Sequence, residues 1–404
     1  MKTHTLRNLL LVLALGAAAF GLVVFGIWIG GRHADLLPSG MRSSLVGSNE
    51  QVFVQEAIDR VGEDYYRELP PGRLADLAIG GLVDGLNDRF SAYFTPAEYR
   101  RFLESQNSEF SGIGVNIVPA RNGLKIVNVY KDAPAREAGL RNGDVIVAAG
   151  SRPLKGLSAE KAASLIKGPK GTTVVLTVDS GGKERRVRVR REEIKVPVVE
   201  SKLVKRGGKK VGVVALSQFS SGAHAEVYEA IRRLRRKGAT AWAFDLRGNG
   251  GGLVDEAQLV ASAFLPDGPV VTTRGRNVPE RTLNATGKPV VPKGDPVIVL
   301  VNRGSASAAE IVAGALQDRG RAKLLGERTF GKGVFQQVIE LTNGGALDIT
   351  SGQYFTPKGR NLGGQGVKRG SGLKPDIVVA LPKGSRRDVQ LDAATARLAD
   401  CVKR

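Results

Sequence analysis

From about Ile194 onward, short apolar runs alternate with longer amphipathic ones: "KVGVVALSQF", "AHAEVYEAIRRLRRKG", "TAWAFDLR", "LVDEAQLVASAFL", "PVIVLVN" and "SAAEIVAGALQD". Runs of the first kind suit buried strands, and runs of the second carry apolar residues at helical spacing. Their alternation constrains the fold most, because it requires helices packed on a sheet, an α/β domain. In its first helix Val227, Ile231 and Leu234 form the inward stripe, leaving Arg232, Arg233, Arg235 and Arg236 mostly outward. There is no tandem repeat and no long low-complexity tract.

Upstream the pattern differs. "VFVQEAIDRVGEDYY", "GRLADLAIGGLVDGL" and "TPAEYRRFLESQ" predict a helical region over 49–108. Thr95, Pro96 and Glu98 make a helix start, with Thr as N-cap and Glu at the third helical position. Near Glu109 short strands take over: "GIGVNIVPARNGLKIVNVY", "APAREAGLRNGDVIVAAGSRPL", the helix "SAEKAASLI" and "TTVVLTVDSGGKERRVRVRR". This strand, strand, helix, strand, strand order over 109–193 resembles a PDZ domain, most specifically in "AREAGLRNGDVIVAAG". Gly112, Ile113, Gly114 and Val115 match the loop and strand start with which PDZ domains hold a peptide's C-terminal carboxylate. Backbone N–H groups of a Gly-rich loop can approach an anion, and the adjacent strand can add a peptide as a further strand. The glycines could equally serve only a turn.

Composition enters where partners are concerned. Among 404 residues, 60 Lys+Arg against 39 Asp+Glu give a formal charge of +21. Such an excess suits an anionic partner. The basic residues are dispersed over "KERRVRVRRE", "KLVKRGGKK" and "RRLRRKG", and aromatics are only 5%, which argues against a base-stacking nucleic-acid surface and for solvated basic faces beside an anionic envelope. The lone Cys401 excludes an intrachain disulfide and a Cys-rich zinc site. Leu9 to Gly31 carry no charge, and these twenty-three residues span roughly 34 Å as a helix, enough for a bilayer core. The apolar run continues past "AAAF", so the expectation is an uncleaved anchor, with the short tail 1–8 cytoplasmic and everything beyond about Arg32 exported. Residues 32–48 read as a linker.

The stretch "GERTFGKGVFQQ" contains the G-x-x-x-x-G-K of a phosphate loop at Gly326, Gly331 and Lys332. Such a loop needs a Ser/Thr after the lysine and a helix beyond it. Here Gly333 follows and "VFQQVIEL" reads as strand, so two requirements fail. Of the three histidines, His4 and His33 flank the apolar segment, and His224, at the start of a basic helix, reads as a surface residue. A nucleophile here therefore needs a base other than histidine, and a His-based metal site lacks ligands. "VNRGSASAAEIVAGALQDRG" places Ser307 at a strand-to-helix turn. Ser307 with Glu310 fits a capping box. The same geometry sets a hydroxyl beside free helix N–H groups that can hold an oxyanion. "DLRGNGGG", Asp245 to Gly252, is a second loop of that kind at a strand end, or simply a turn.

"GSASAAEIVAGALQDRGRAKLLGERTFGKGVFQQ" resembles the active-site segment of the C-terminal processing peptidases, the tail-specific serine endopeptidases with a Ser–Lys dyad. The resemblance extends from about Gln51 to Leu398 and includes "DRFSAYFTPAEYRRF", "DLRGNGGGLVDEA" and "YFTPKGRNL…GLKPDIVV". It implies Ser307 as nucleophile, Lys332, twenty-five positions later, as base, and Gln336 as the residue orienting the dyad. It also implies an oxyanion hole from Ala308 with Gly250 or Gly251, and no cofactor or metal. Ala309 replaces the motif's third serine, Gly250 stands where many members have Pro, and extra residues precede Pro375-Asp376; none touches the dyad. The lysine must be neutral near pH 7, which burial in an apolar site can achieve. The expected architecture is α/β multidomain: tail 1–8, transmembrane helix 9–31, linker 32–48, helical region 49–108, PDZ domain 109–193 inserted before a serine protease core 194–385, and a C-terminal helix and tail 386–404. The expected protein is a single-pass envelope protease acting on protein or peptide substrates with free C-termini, bound to the membrane through 9–31, with no nucleic acid. A homo-oligomer or an activating partner stays open. The competing reading is a catalytically inactive, membrane-tethered PDZ scaffold.

Overall fold

The computed structural model describes residues 18, 20–22, 25, 49–106, 109–363, 372–382, 384 and 387–401. The expected anchor and linker fall almost wholly outside these residues, as do most of the extra residues before Pro375. Among the described residues no helix is long and apolar enough to cross a membrane. The chain divides into two compact units, Met1–Leu86 and Asn87–Arg404.

Among the described residues from 49 onward, the first unit forms α1 (Asn49–Asp64) and α2 (Arg73–Asp84). They turn at Pro70-Pro71-Gly72, where Gly72 takes φ 79°. Both proline rings remove an N–H donor, and the left-handed residue suits only glycine without strain.

The second unit opens with a strand inside the stretch read as helical: β1 (Ala92–Phe94) precedes α3 (Pro96–Gln106). Tertiary pairing overrides the helical pattern there, because β1 lies antiparallel on Ala346–Asp348. At the head of α3, Glu98 accepts the Thr95 N–H at 3.0 Å, as the capping pattern predicts.

The PDZ region is entered on β2 (Glu109–Gly112) and left on β9 (Glu192–Lys195), which pair antiparallel. The inserted segment therefore begins and ends at one place. Between them run β3 (Val115–Ala120), β4 (Gly123–Val129), α4 (Pro134–Glu137), β5 (Val145–Ala149), β6 (Arg152–Pro153), α5 (Ala159–Ile166), β7 (Thr173–Asp179) and β8 (Glu184–Arg190). The sheet order is β3-β4-β5-β7-β8, with β6 on β5. Its core is built by Ile126, Ile146, Leu176 and Val178 with Ala162 and Ile166 of α5. β3 is an edge strand, so one of its sides has unpaired backbone groups.

The remaining chain builds β10 (Val199–Arg206), β11 (Lys209–Leu216), α6 (Ala223–Arg236), β12 (Ala241–Asp245), α7 (Val254–Ser262), β13 (Pro269–Gly275), β14 (Arg281–Asn284), β15 (Val297–Val301), α8 (Ala308–Asp318), β16 (Lys323–Gly326), β17 (Val334–Glu340), β18 (Ala346–Phe355), β19 (Ile377–Val378) and α9 (Val389–Cys401). The central sheet runs β10-β11-β12-β15-β16-β19, parallel from β11 onward, with β10 antiparallel at its edge. Every residue of β15, "VIVLV", is buried, as expected for a parallel strand covered on both faces. One face packs Val227, Ile231 and Leu234 of α6 with α7 and α8. The other receives Ala394 and Leu398 of α9 on Val211, Val213, Ala243 and Leu300. A second sheet, β1-β18-β13-β14 with β17 on β18, supplies the strands that follow the site lysine.

Candidate active site

In an open parallel sheet the loops leaving the carboxyl ends of the strands converge on one side, which is where such folds hold ligands. Three loops do so here: 246–253 after β12, 302–307 after β15, and 327–333 after β16. Backbone hydrogen bonds lock them together. The Ala306 N–H donates to Asn249 O at 2.9 Å, and the Phe330 N–H to Ser305 O at 2.9 Å. Asn302 Oδ1 accepts from Gly248 and Gly304, both at 2.9 Å. Ser305 is buried and donates to Leu246 O at 2.8 Å, so the motif's first serine braces the loops.

Ser307 ends this turn at φ 54° and ψ −118°, one of three non-glycine residues with positive φ among those described. An L-residue is strained in that region, and such strain concentrates at functional turns. The turn sets Ser307 at the N-terminus of α8. The Ala308 N–H, in the first turn of that helix, makes no hydrogen bond among the described residues.

Glu310 organises the site. It is wholly buried. Its Oε2 accepts the Ser307 N–H at 3.0 Å and the Lys332 N–H at 2.9 Å, while Oε1 accepts the Gly331 N–H at 2.8 Å and the Thr329 hydroxyl. One carboxylate thus fixes the backbones of both dyad candidates. Burial raises its pKa, opposed by the Thr329 hydroxyl and the three N–H donors. The sequence identified Glu310 only as a helix cap; its reach to a loop some twenty residues on has no local signal.

Lys332 Nζ donates to Gln336 Oε1 at 2.8 Å. Gln336 Nε2 donates to Thr350 Oγ1 at 3.1 Å, the Thr350 N–H to Ser91 Oγ at 3.0 Å, and Ser91 Oγ to Asp88 at 2.6 Å. The amine also lies 5.0 Å from the centroid of the Phe90 ring. Burial lowers the Lys332 pKa, and the charges of Asp348 and Asp88 oppose that shift. The same burial raises the Asp348 carboxyl, with Lys332 opposing. Among the described residues no hydrogen bond joins Ser307 Oγ to Lys332 Nζ. Asp88, Phe90 and Ser91 lie in the quoted segment "DRFSAYF", yet nothing local in it marks them as neighbours of a lysine more than 240 positions away.

The Gly-rich loop lies directly against the serine. A Cβ on Gly251, at φ 105°, would sit 2.8 Å from Ser307 Cβ and 3.1 Å from the Ala308 nitrogen. The Gly251 N–H is committed to Asn249 Oδ1 at 2.8 Å, whereas Gly250 is exposed and its N–H has no partner among the described residues. Of the two glycines, Gly250 therefore has the donor to offer. Asn249 is itself buried and held by Leu216 O at 2.8 Å.

In the PDZ region Gly112 ends β2, Ile113 is 2% exposed, Gly114 has φ 77°, and Val115 begins the edge strand β3. The Ile113 and Gly114 carbonyls accept from Ala135 and Tyr130, at 2.9 and 3.1 Å. Their N–H groups donate to none of the described residues. His224, expected on the surface, lies there partly covered, its side chain 35% exposed. Its Nδ1 lies 2.9 Å from Glu256 Oε2, which also accepts the His224 N–H at 2.9 Å.

The family profile described as Peptidase family S41 matches residues 210–379, which hold all three converging loops, and a PDZ domain profile matches 111–190. A probable CtpA-like serine protease of Staphylococcus aureus (strain bovine RF122 / ET3-1) is 33% identical over 341 residues, 84% of this chain and 67% of that protein. The chain belongs to peptidase family S41. It is a serine protease of the C-terminal processing type that carries a PDZ domain. A second relative, a probable CtpA-like serine protease of Staphylococcus epidermidis, is 31% identical over 343 residues, 85% of this S41 peptidase and 68% of that protein. Among solved structures, a photosystem II D1 C-terminal processing protease is 27% identical, with a TM-score of 0.49 over 87% of this chain and 97% of that one.

Proposed function

We propose that this S41 peptidase is a membrane-anchored endopeptidase in which Ser307 is the nucleophile, Lys332 the general base and Gln336 the residue that holds the base. The neutral Lys332 amine takes the Ser307 proton as Oγ attacks a peptide carbonyl. The N–H groups of Ala308 and Gly250 hold the resulting oxyanion. The lysine ammonium then returns the proton to the leaving amine, and water hydrolyses the acyl-enzyme with Lys332 again as base. For the first step Nζ has to turn from Gln336 toward Oγ.

The observation that carries this reading is the joint placement of the two groups. A half-buried lysine, with its pKa lowered, and a strained serine next to the Ala308 N–H, which has no partner among the described residues, share one buried carboxylate. The PDZ region selects substrates by their C-termini, which the N–H groups of Ile113 and Gly114, unpartnered among the described residues and beside an edge strand, support. The uncharged run Leu9–Gly31 supports a single-pass anchor with the catalytic part exported. Release of the full-length chain from membranes by alkaline extraction would contradict the anchor.

Casein degradation by the full-length chain tests the dyad. Ser307→Ala and Lys332→Ala are each expected to abolish it, with the thermal unfolding midpoint within a few degrees of wild type. Retained cleavage in either variant contradicts the dyad, and an inactive wild type favours the scaffold reading.

A further inference from the structure

Tyr354, near the end of β18, is 1% exposed, and its hydroxyl has no hydrogen-bond partner among the described residues. Native interiors rarely leave a buried hydroxyl unsatisfied, because its desolvation is then uncompensated. Its place makes the exception informative. The Tyr354 N–H donates to Gly333 O at 3.1 Å, so its backbone is tied to the residue after Lys332. Asn361 Nδ2 grips both carbonyls, of Gly333 at 2.9 Å and of Tyr354 at 3.0 Å. Two residues further on, Thr356 lies against α8, its Cγ2 2.8 Å from where a Cβ on Gly314 would be. The ring of Tyr354 is packed in the same core as Ala308, Ala309 and Ile311 of that helix. There its hydroxyl interacts with the Ser307 side chain, close but short of a well-formed hydrogen bond.

A serine hydroxyl has one proton and two acceptor lone pairs. Lys332 can take that proton only when it points at Nζ. A donor placed on Oγ from another side occupies a lone pair and biases the O–H direction. It also stabilises the charge that grows on Oγ as the proton leaves, an interaction stronger in the transition state than in the ground state.

We propose that Tyr354 is a positioning residue of the proteolytic reaction, its hydroxyl donating a hydrogen bond to Ser307 Oγ in the reactive arrangement and turning the serine proton toward Lys332. The inference rests on Ser307 being the nucleophile. In the step concerned the Oγ–H bond breaks, the proton passes to Lys332 Nζ, and the Oγ–C bond to the substrate forms. Tyr354 keeps its own proton throughout. Burial, and then the Glu310 charge, place its pKa well above that of an ordinary tyrosine, so it serves as a donor and not as a second base.

The test is Tyr354→Phe in the full-length chain, assayed beside wild type and Ser307→Ala. It follows peptide hydrolysis and labelling of Ser307 by a fluorophosphonate across pH, with thermal unfolding alongside. The variant is expected to lose about tenfold or more in kcat and in labelling rate, with KM changed by less than about twofold. The rise of activity with pH should keep its midpoint, because Lys332 is untouched. The unfolding midpoint should not fall, since phenylalanine leaves no unpaired hydroxyl. Wild-type kcat and labelling in Tyr354→Phe, beside a dead Ser307→Ala, overturn this proposal alone. A lowered unfolding midpoint or a displaced pH midpoint also overturns it, because the hydroxyl would then be supporting the fold or the lysine. Activity retained in Ser307→Ala removes the nucleophile reading and this inference with it.

Discussion

At the scale of single residues, Ser307 caps its helix from a backbone conformation that an ordinary N-cap does not adopt. An N-cap serine normally sits in the β-region and holds its helix without strain. Ser307 instead adopts φ 54°, ψ −118°, where a side chain costs roughly 1–3 kcal/mol. Removing only the hydroxyl leaves that strain in place; removing Cβ relieves it, against a glycine entropy cost of about 0.5–1 kcal/mol. Ser307→Gly is therefore expected to be inactive yet more stable than Ser307→Ala, by about 1 kcal/mol, or roughly 2–4 °C in the unfolding midpoint. Calorimetry of the two variants decides it: an alanine variant as stable as the glycine one would mean that the turn is relaxed. The strain itself was not legible in "GSASAAE", because serine is an ordinary N-cap and only the packed loops force it into this conformation.

At the scale of elements, the site is made where loops leave three neighbouring parallel strands. The apolar runs of β12 ("AWAF") and β15 ("VIVLV") and the amphipathic α6 announced that sheet from sequence, since burial on both faces forces continuous apolar runs. The loop contacts were less legible. Gly248 to Gly252 could be read as a turn or as a donor loop, and the choice depends on Asn249 Oδ1 taking the Gly251 N–H while the Gly250 N–H has no partner among the described residues. Asp88 and Phe90 joined Lys332 through pairing of β1 with β18, a contact between segments far apart in sequence. Gly251 gives this scale its test. Gly251→Ala would place a Cβ 2.8 Å from Ser307 Cβ and 2.9 Å from Ala306 O, at φ 105°, so the loops must separate. Cleavage at least about tenfold slower and a loss of roughly 1–3 kcal/mol in stability are expected from kinetics and denaturant unfolding. An alanine variant matching wild type in both would show that the two loops do not close on each other.

For the whole molecule, the paired β2 and β9 make the PDZ region an insertion whose two ends leave from one point. The open edge of β3 follows a loop whose two inner N–H groups have no partner among the described residues. A peptide with a free C-terminus is therefore expected to bind the full chain at least about tenfold more tightly than its amidated form, by fluorescence anisotropy. Equal affinities would contradict carboxylate capture. The domain order and the family were legible because "AREAGLRNGDVIVAAG" and "GSASAAE…FGKGVFQQ" are local patterns. The proteolytic reading nonetheless depends on what no local pattern records, an amine kept from water at neutral pH. Burial lowers the Lys332 pKa against the opposing charges of Asp348 and Asp88, so the neutral form should appear below 10.5. The most direct measurement is the rate at which a fluorophosphonate labels Ser307 as a function of pH, in wild type and in Lys332→Ala. The account expects the wild-type rate to rise with pH on one ionisation whose midpoint lies below 10.5, and that rise to vanish in the variant. A midpoint at or above 10.5, or the same rise without the lysine, would contradict it.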